Sequence, residues 1–139
     1  MQLIDSIVEA TPAITQLRRD IHAHPELCFQ EVRTADLVAA KLTEWGIQVH
    51  RGLGTTGVVG IVHGRDGGAQ AGGTGRAIGL RADMDALPMT ELNTFAHAST
   101  HAGKMHACGH DGHVAMLLAA AQHLAAHRNF DGTVYLIFQ

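Results

Sequence analysis

The sequence predicts an α/β fold in which a mixed sheet is sandwiched by helices. Over the first third of the chain, apolar residues recur every three to four positions, a spacing that is typical of amphipathic helices. Beyond Gly46 the pattern changes to short runs rich in valine and isoleucine, which are typical of strands. Such an alternation favours helices packed on a sheet. The 139 residues, 46% of them hydrophobic, are enough for one modest domain with a core.

Two helices are predicted before the first strand. Pro12 suits the first turn of a helix and Thr11 offers an N-cap hydroxyl, so the first helix is expected to begin there. It is expected to end before Pro25, because proline disfavours helical geometry in the preceding residue. The second helix is predicted over residues 34–45, and Gly46 after it is typical of a helix C-terminus.

Four strands are predicted from short apolar runs at residues 47–50, 57–63, 77–82 and 133–138. The last run is apolar throughout, which predicts a strand buried on both faces. Residues 64–75, rich in glycine and alanine, are expected to form an exposed hairpin loop.

Gly52, Gly54 and Gly57 match the Gly-x-Gly-x-x-Gly fingerprint of dinucleotide-binding folds. That fingerprint requires a helix to begin at its third glycine, so that a pyrophosphate meets the helix N-terminus. Here the third glycine leads into an apolar strand, so we interpret the motif as a turn between two strands. Residues 93–109 show no periodicity, and a loop of this length next to a polar cluster favours a functional role. Asp111 is then expected to cap a helix over residues 112–126, whose apolar side chains indicate deep burial.

Charge and composition exclude several function classes. The net charge is -3 with neutral histidines, so the chain has no basic excess for binding nucleic acid. No apolar run approaches the roughly 20 residues of a membrane span, and the N-terminus lacks the pattern of a signal peptide. Cys28 and Cys108 stand far apart in different contexts, which favours a reducing compartment over a disulfide framework. A cytoplasmic protein is expected.

The most informative segment is residues 106–113, His-Ala-Cys-Gly-His-Asp-Gly-His. Cys108 and His110 stand two apart, so their side chains project to the same side of an extended segment. A thiolate and a neutral imidazole are both good ligands for a borderline-soft divalent metal. A second polar cluster, with Asp83 and Asp85, follows an apolar run. Together the clusters predict a metal-dependent active site.

Three segments occur in the order in which one enzyme family carries them: Leu-Arg-Arg-Asp-Ile-His-Ala-His-Pro-Glu-Leu at 17–27, Leu-Arg-Ala-Asp-Met-Asp-Ala-Leu-Pro at 80–88, and Lys-Met-His-Ala-Cys-Gly-His-Asp-Gly-His at 104–113. They resemble the amidohydrolase branch of the M20 metallopeptidases, which includes hippurate hydrolases, N-acyl-amino-acid hydrolases and plant auxin-conjugate hydrolases. The chain, residues 1–139, is therefore expected to be the N-terminal part of an M20-type catalytic domain.

The resemblance implies a role for each member of the two clusters. Cys108 and His110 fall on metal ligands, and metal binding would hold Cys108 as the thiolate. Asp85 falls on the aspartate of the catalytic site that orients a ligand and tunes the metal. Asp83 occupies a position that is histidine in other M20 enzymes, which leaves its contact with the metal open.

Other residues match the family's motifs less directly. Asp111 is either a helix cap or a group just outside the ligands, and His113 is either such a group or a surface residue. Cys28 matches no motif and is expected to be a packed thiol. An N-terminal signature is expected to shape the fold and the pocket wall: His22, His24 and Glu26.

In that family a divalent metal and a glutamate general base together activate a water that attacks an amide carbonyl. The resemblance therefore implies a metal-dependent amidohydrolase that cleaves N-acyl amino acids, hippurate-like or N-acetylated, with zinc, manganese, cobalt or nickel. Family members carry the base and the remaining ligands beyond a strand end like residues 138–139, so this chain alone is expected to be inactive. The complete protein is expected to be a homodimer or homo-oligomer, because a lid domain usually dimerises family members.

Two other interpretations stay open. One is a non-catalytic metal-binding module, and the other is a structural α/β domain in which the eleven histidines are incidental. Metal stoichiometry distinguishes the structural domain, which would bind no metal, from the other two interpretations. Activity distinguishes the enzyme from the non-catalytic module.

Overall fold

The described part of the chain, residues 4–65, 67 and 75–139 of a computed structural model, forms three helices and four strands. The helices are α1 (Asp5–Ala23), α2 (Val32–Glu44) and α3 (His110–Ala126). The strands are β1 (Gln48–Leu53), β2 (Gly57–His63), β3 (Ala77–Ala82) and β4 (Thr133–Phe138). These elements confirm the predicted α/β class. None of the described helices combines the length and the apolar character that crossing a bilayer requires.

The strands form one mixed sheet in the order β1-β2-β4-β3. β2 pairs antiparallel with both β1 and β4, whereas β3 pairs parallel with β4. The turn predicted at the three glycines is confirmed, because it joins the antiparallel neighbours β1 and β2. The hairpin predicted over residues 64–75 is wrong, because β4 lies between the two strands that this segment connects. Residues 66 and 68–74 of the segment lie outside the described residues.

One face of the sheet packs against the helices and forms the core. Its fully buried side chains come from alternate strand positions and from α2 and α3: Val58, Val62, Leu136, Phe138, Val38, Leu42, Val114 and Leu118. Each buried side chain of this size contributes about 1.5–3 kcal/mol through the hydrophobic effect. On the opposite face Tyr135 is 38% exposed, so β4 is not buried on both faces as predicted.

α1 begins at Asp5, well before the predicted start at Pro12. Thr11 is not an N-cap, since its hydroxyl donates a hydrogen bond to the Ile7 carbonyl oxygen at 3.0 Å within the helix. Pro12 removes one backbone N–H from the hydrogen-bond ladder. Helix propensity is overridden here by tertiary packing, because α1 lies along α3.

α2 agrees with the prediction to within two residues at either end. Gly46 follows it with a φ of 69°, a left-handed conformation that glycine adopts without strain. The Glu26 carboxylate accepts hydrogen bonds from the backbone N–H groups of Arg33 and Thr34, at 2.9 and 2.8 Å. Glu26 therefore satisfies free donors at the N-terminus of α2, which fits its expected role in shaping the fold.

α3 begins at His110 rather than at residue 112, and it has no side-chain cap. Gly109 precedes it with a φ of 82°, so the chain turns sharply from the loop into the helix. Asp111 lies inside the first turn with its side chain fully buried, which corrects the expectation that it caps the helix. Met116 is 64% exposed, so α3 is not buried all round either.

The segment before α3 is irregular, as predicted, and it is held in place by specific contacts. Thr100 donates from both its backbone N–H and its hydroxyl to the Ala23 carbonyl oxygen, at 2.9 and 2.7 Å. Leu87 and Met105 form an isolated antiparallel bridge. These bonds fix the loop to the end of α1 and to the residues that follow β3.

Candidate metal centre

The two polar clusters meet where the carboxyl end of β3 faces the N-terminus of α3. Residues 83–85 continue directly from β3, and the Met84 N–H donates to the Gln139 carbonyl oxygen at 2.7 Å, just beyond β4. His110 is the first residue of α3. The carboxyl ends of parallel strands are where α/β folds commonly bind ligands. The fold therefore brings together two clusters that are separate in the sequence.

The ring of His110 is oriented by Asp85. Its Nδ1 lies 2.9 Å from the Asp85 carbonyl oxygen and 3.0 Å from the carboxylate Oδ1. Both oxygens only accept hydrogen bonds, so Nδ1 carries the proton and donates. The neutral ring then has its lone pair on Nε2, which is the tautomer that a metal ligand requires.

The Nε2 atom of His110 lies 3.6 Å from Oδ2 of Asp83. The other oxygen of this carboxylate, Oδ1, lies 2.6 Å from Nδ1 of His113. Burial works to raise the pKa of Asp83, but the hydrogen bond from His113, its own backbone N–H and the charges of both histidines lower the pKa overall. Asp83 is therefore held as a carboxylate between two imidazoles.

These three side chains fit a divalent ion. One ligand atom from each of Asp83, His110 and His113 lies within 4.8 Å of the others. Bonds from zinc to nitrogen or oxygen are about 2.0–2.2 Å, which places two ligands of one ion about 3–4 Å apart. The distance of 3.6 Å between Nε2 of His110 and Oδ2 of Asp83 falls within that range. Two imidazoles with one carboxylate are also a donor set that catalytic zinc sites use.

The two cysteines are both free and exposed. Cys108 lies in the turn directly before α3 and is not among the three clustered side chains. It stands two residues from His110, on a turn that Gly109 makes sharp. Cys28 lies in the turn between α1 and α2, so the expectation that it is a packed thiol is wrong. The apolar character of a thiol does not predict burial here, because the side chain of cysteine is small enough to be exposed in a turn.

Behind the cluster, Asp111 faces the end of α1. Its Oδ2 lies 2.9 Å from Nδ1 of His22 and 3.1 Å from Nε of Arg18. Asp111 is fully buried and the His22 side chain is 9% exposed, so the contact is shielded from water. Asp111 therefore bonds to α1, and His22 is a buried contact of α3.

Glu91 is a member of this buried group that the sequence analysis missed. Its Oε1 lies 3.1 Å from Nε2 of His22, and its Oε2 accepts a hydrogen bond from the Ser99 N–H at 2.6 Å. Burial works to raise its pKa, but the hydrogen bonds from Asn93, from the Ser99 backbone and from His22 lower the pKa to about 2. Glu91 stands in an aperiodic segment outside every motif, and only its contacts in the fold mark it.

His106 is also buried within this group, with an exposed fraction of 4%. Its ring centroid lies 6.2 Å from that of His22. Burial lowers the pKa of His106, against the opposing charge of Asp111. The ring is therefore held neutral close to the turn that carries Cys108.

The lowered pKa of Glu91 predicts an acid-sensitive fold. A carboxylate whose pKa is depressed in the folded state stabilises the fold above its unfolded pKa, near 4.5, and loses that contribution as pH falls towards 2. We expect the free energy of unfolding to fall by on the order of 2 kcal/mol across this window. Urea denaturation at a series of pH values measures it. In Glu91→Gln the slope is expected to be shallower, and equal slopes for variant and parent would contradict the assignment.

Comparison with known proteins relates this chain to one enzyme family. The sequence profile of peptidase family M20/M25/M40 matches residues 79–139, which include both clusters. The structure of Bacillus subtilis YXEP, a dinuclear metal binding peptidase from the M20 family, superposes on 95% of this chain. The superposed part is 35% of the YXEP chain. The TM-score is 0.85 and the sequence identity 39%. Residues 79–139 thus match the M20 family, and the fold of the chain is similar to that of an M20 peptidase.

The curated relatives that this chain is similar to are hydrolases. The hippurate hydrolase of Campylobacter jejuni is 45% identical over the whole chain, which covers 34% of that enzyme. The IAA-amino acid hydrolase ILR1-like 2 of Arabidopsis thaliana is 46% identical over 91% of the chain, which covers 27% of that enzyme. The chain thus spans about a third of the length of the relatives that it matches.

Proposed function

We propose that this chain is the metal-binding part of an amidohydrolase that cleaves the amide bond of N-acyl amino acids, either hippurate-like or N-acetylated. The observation that carries the proposal is the pair of hydrogen bonds from Nδ1 of His110 to Asp85, which leaves Nε2 free as a donor to a metal. The names of the relatives support it, since they are hippurate and IAA-amino acid hydrolases. The metal-binding character of YXEP supports it as well.

The proposed ligands are Cys108 and His110, with zinc, manganese, cobalt or nickel as the ion. Asp83 and His113 form a second candidate set around the same His110 nitrogen. When bound, the ion would polarise the amide carbonyl and stabilise the negative charge that develops on its oxygen. The chain's own part is to hold the imidazole of His110 in one tautomer and one direction through Asp85.

Addition of Co²⁺ to the purified chain tests the proposal. A thiolate ligand gives a charge-transfer band in the near ultraviolet, whereas a set of imidazoles and a carboxylate does not. We expect this band in the parent and its loss in Cys108→Ser. Absence of any Co²⁺ binding by the chain would contradict the proposed metal site.

We further propose that the 139-residue chain alone does not hydrolyse amides. Such hydrolysis relies on a positioned general base, which typically contributes about 10²–10⁴-fold to the rate. The five glutamates of the chain lie elsewhere: on α1 (Glu9), before α2 (Glu26 and Glu31), at the end of α2 (Glu44) and beside His22 (Glu91). We therefore expect no release of glycine from hippurate with added zinc, manganese or cobalt. Turnover that depends on metal and disappears in Cys108→Ser would show that the chain contains its own base.

A non-catalytic metal-binding module is the second candidate, and the placement of the glutamates favours it. The two candidates differ in one measurement, because both predict metal binding but only the enzyme predicts turnover by a protein that includes the whole catalytic domain. We also propose that the complete protein is a cytoplasmic homodimer or homo-oligomer. The free state of Cys28 and Cys108 supports a reducing compartment, and light scattering of the complete protein measures the oligomeric state.

A further inference from the structure

His22 is held at both ends by carboxylates from two distant parts of the chain. Nδ1 faces Asp111 on α3 and Nε2 faces Glu91 in the loop that follows β3. The side chains of His22, Asp111 and Glu91 are 9%, 0% and 3% exposed. A hydrogen bond to a carboxylate is stronger and shorter than one between neutral groups, and exclusion of water strengthens it further. The ring therefore has one allowed position.

Asp111 links His22 to the first turn of α3. It follows His110 directly, and both lie in the first turn of α3. The residue before the turn is Gly109, which has no side chain to cap the helix. The contact between Asp111 and His22 ties this first turn to α1.

Glu91 gives the ring its second anchor. Its bonds to Asn93 and to the backbone of Ser99 tie it to the irregular loop, and Thr100 in the same loop is bonded to the end of α1. His22 consequently joins α1, this loop and α3 at one buried point. None of these contacts belongs to the candidate ligand sets.

Resting on the metal site proposed above, we propose that His22 is a positioning residue for that site: through Asp111 it fixes the first turn of α3, and so the direction in which His110 presents Nε2. The bond to Glu91 serves the loop instead. Nδ1 and Nε2 of His22 therefore have different roles. Asparagine and glutamine, whose amide groups lie at different distances from the backbone, can each replace one of the two nitrogens.

The test compares two variants of His22. The amide nitrogen of His22→Asn lies near the position of Nδ1 and keeps the donor to Asp111, whereas that of His22→Gln lies near Nε2 and keeps the donor to Glu91. We expect His22→Gln to bind Co²⁺ about tenfold more weakly than the parent, as for other groups that orient metal ligands. We expect a smaller loss in His22→Asn. Competition with a chromophoric chelator measures the affinities.

Nitrogen NMR of the His110 ring, recorded without metal, gives a second readout. We expect the Nδ1 signal to move in His22→Gln and to stay near its parent position in His22→Asn. A purely structural role for His22 would change both variants alike, and that result would overturn the proposal. If the parent binds no Co²⁺, the proposed function fails, and the NMR comparison alone decides the role of His22.

Arg18→Met covers the case in which a variant of His22 does not fold. The Arg18 side chain is 56% exposed and donates to the same oxygen of Asp111, so its loss is tolerable for the fold. We expect the Nδ1 signal of His110 to move in the same direction as in His22→Gln, by a smaller amount. An unchanged signal in a folded Arg18→Met would overturn the link from Asp111 to His110.

Discussion

His110→Ala is expected to weaken the binding of Co²⁺ or Zn²⁺ by more than about 100-fold. Loss of a partner outside the ligands typically costs about 10–100-fold, and a direct ligand is worth more. Nε2 of His110 faces Asp83, and Nδ1 is fully occupied by Asp85, so the ring is committed to this one position. Elemental analysis after gel filtration, together with chelator competition, measures the loss.

Two further variants decide which side chains complete the site around His110. Cys108→Ser removes the thiol predicted from the sequence, and His113→Ala removes the imidazole that the structure brings into the cluster. We expect a large loss in Cys108→Ser and a smaller one in His113→Ala. The opposite order would replace Cys108 by His113 in the ligand set.

Cys28→Ser is the matched control for the thiol. Cys28 is exposed and free like Cys108, but it lies in the turn between α1 and α2. We expect its replacement to leave metal binding unchanged. Equal metal content in the parent, His110→Ala and Cys108→Ser would contradict the assignment of the metal site to these residues.

The elements that the sequence predicts well are those whose pattern is local. The strands at 57–63, 77–82 and 133–138 match the observed bounds, because each is a short apolar run between turn residues. Gly46 ends α2 as expected, because its left-handed φ is a property of one residue. The sequence also places the clusters of Asp83 and His110 at the ends of regular elements, but it leaves the contact of Asp83 open.

The failures share a different cause. Pro12 is compatible with a first turn but does not require one, and packing on α3 extends the helix to Asp5. The position of Asp111 suits a cap, yet its carboxylate bonds in the interior to a histidine that is distant in sequence. Glu91 carries no sequence signal at all. Its role arises only when the loop, α1 and α3 come together, which no local pattern encodes.

Asp85→Asn is expected to weaken metal affinity by about 10–100-fold while the fold stays intact. The main-chain carbonyl of Asp85 also accepts from Nδ1 of His110, so the tautomer survives the substitution. The loss therefore measures what the negative charge of the carboxylate adds to the basicity of the ring. Calorimetric titration with Zn²⁺ gives the affinity, and circular dichroism checks the fold.

Asp83→Asn is the matched comparison, because it removes a charge of the same kind from the neighbouring position. Asp83 meets Nε2 of His110 and also His113, so its oxygens stand where the ion would bind rather than behind the ring. If Asp83 is a ligand, its loss exceeds that of Asp85→Asn, and the Co²⁺ spectrum changes as well as the affinity. If Asp85→Asn binds zinc as tightly as the parent, the charge of Asp85 does not act on the metal. Its carboxylate would then only fix the end of β3 against α3.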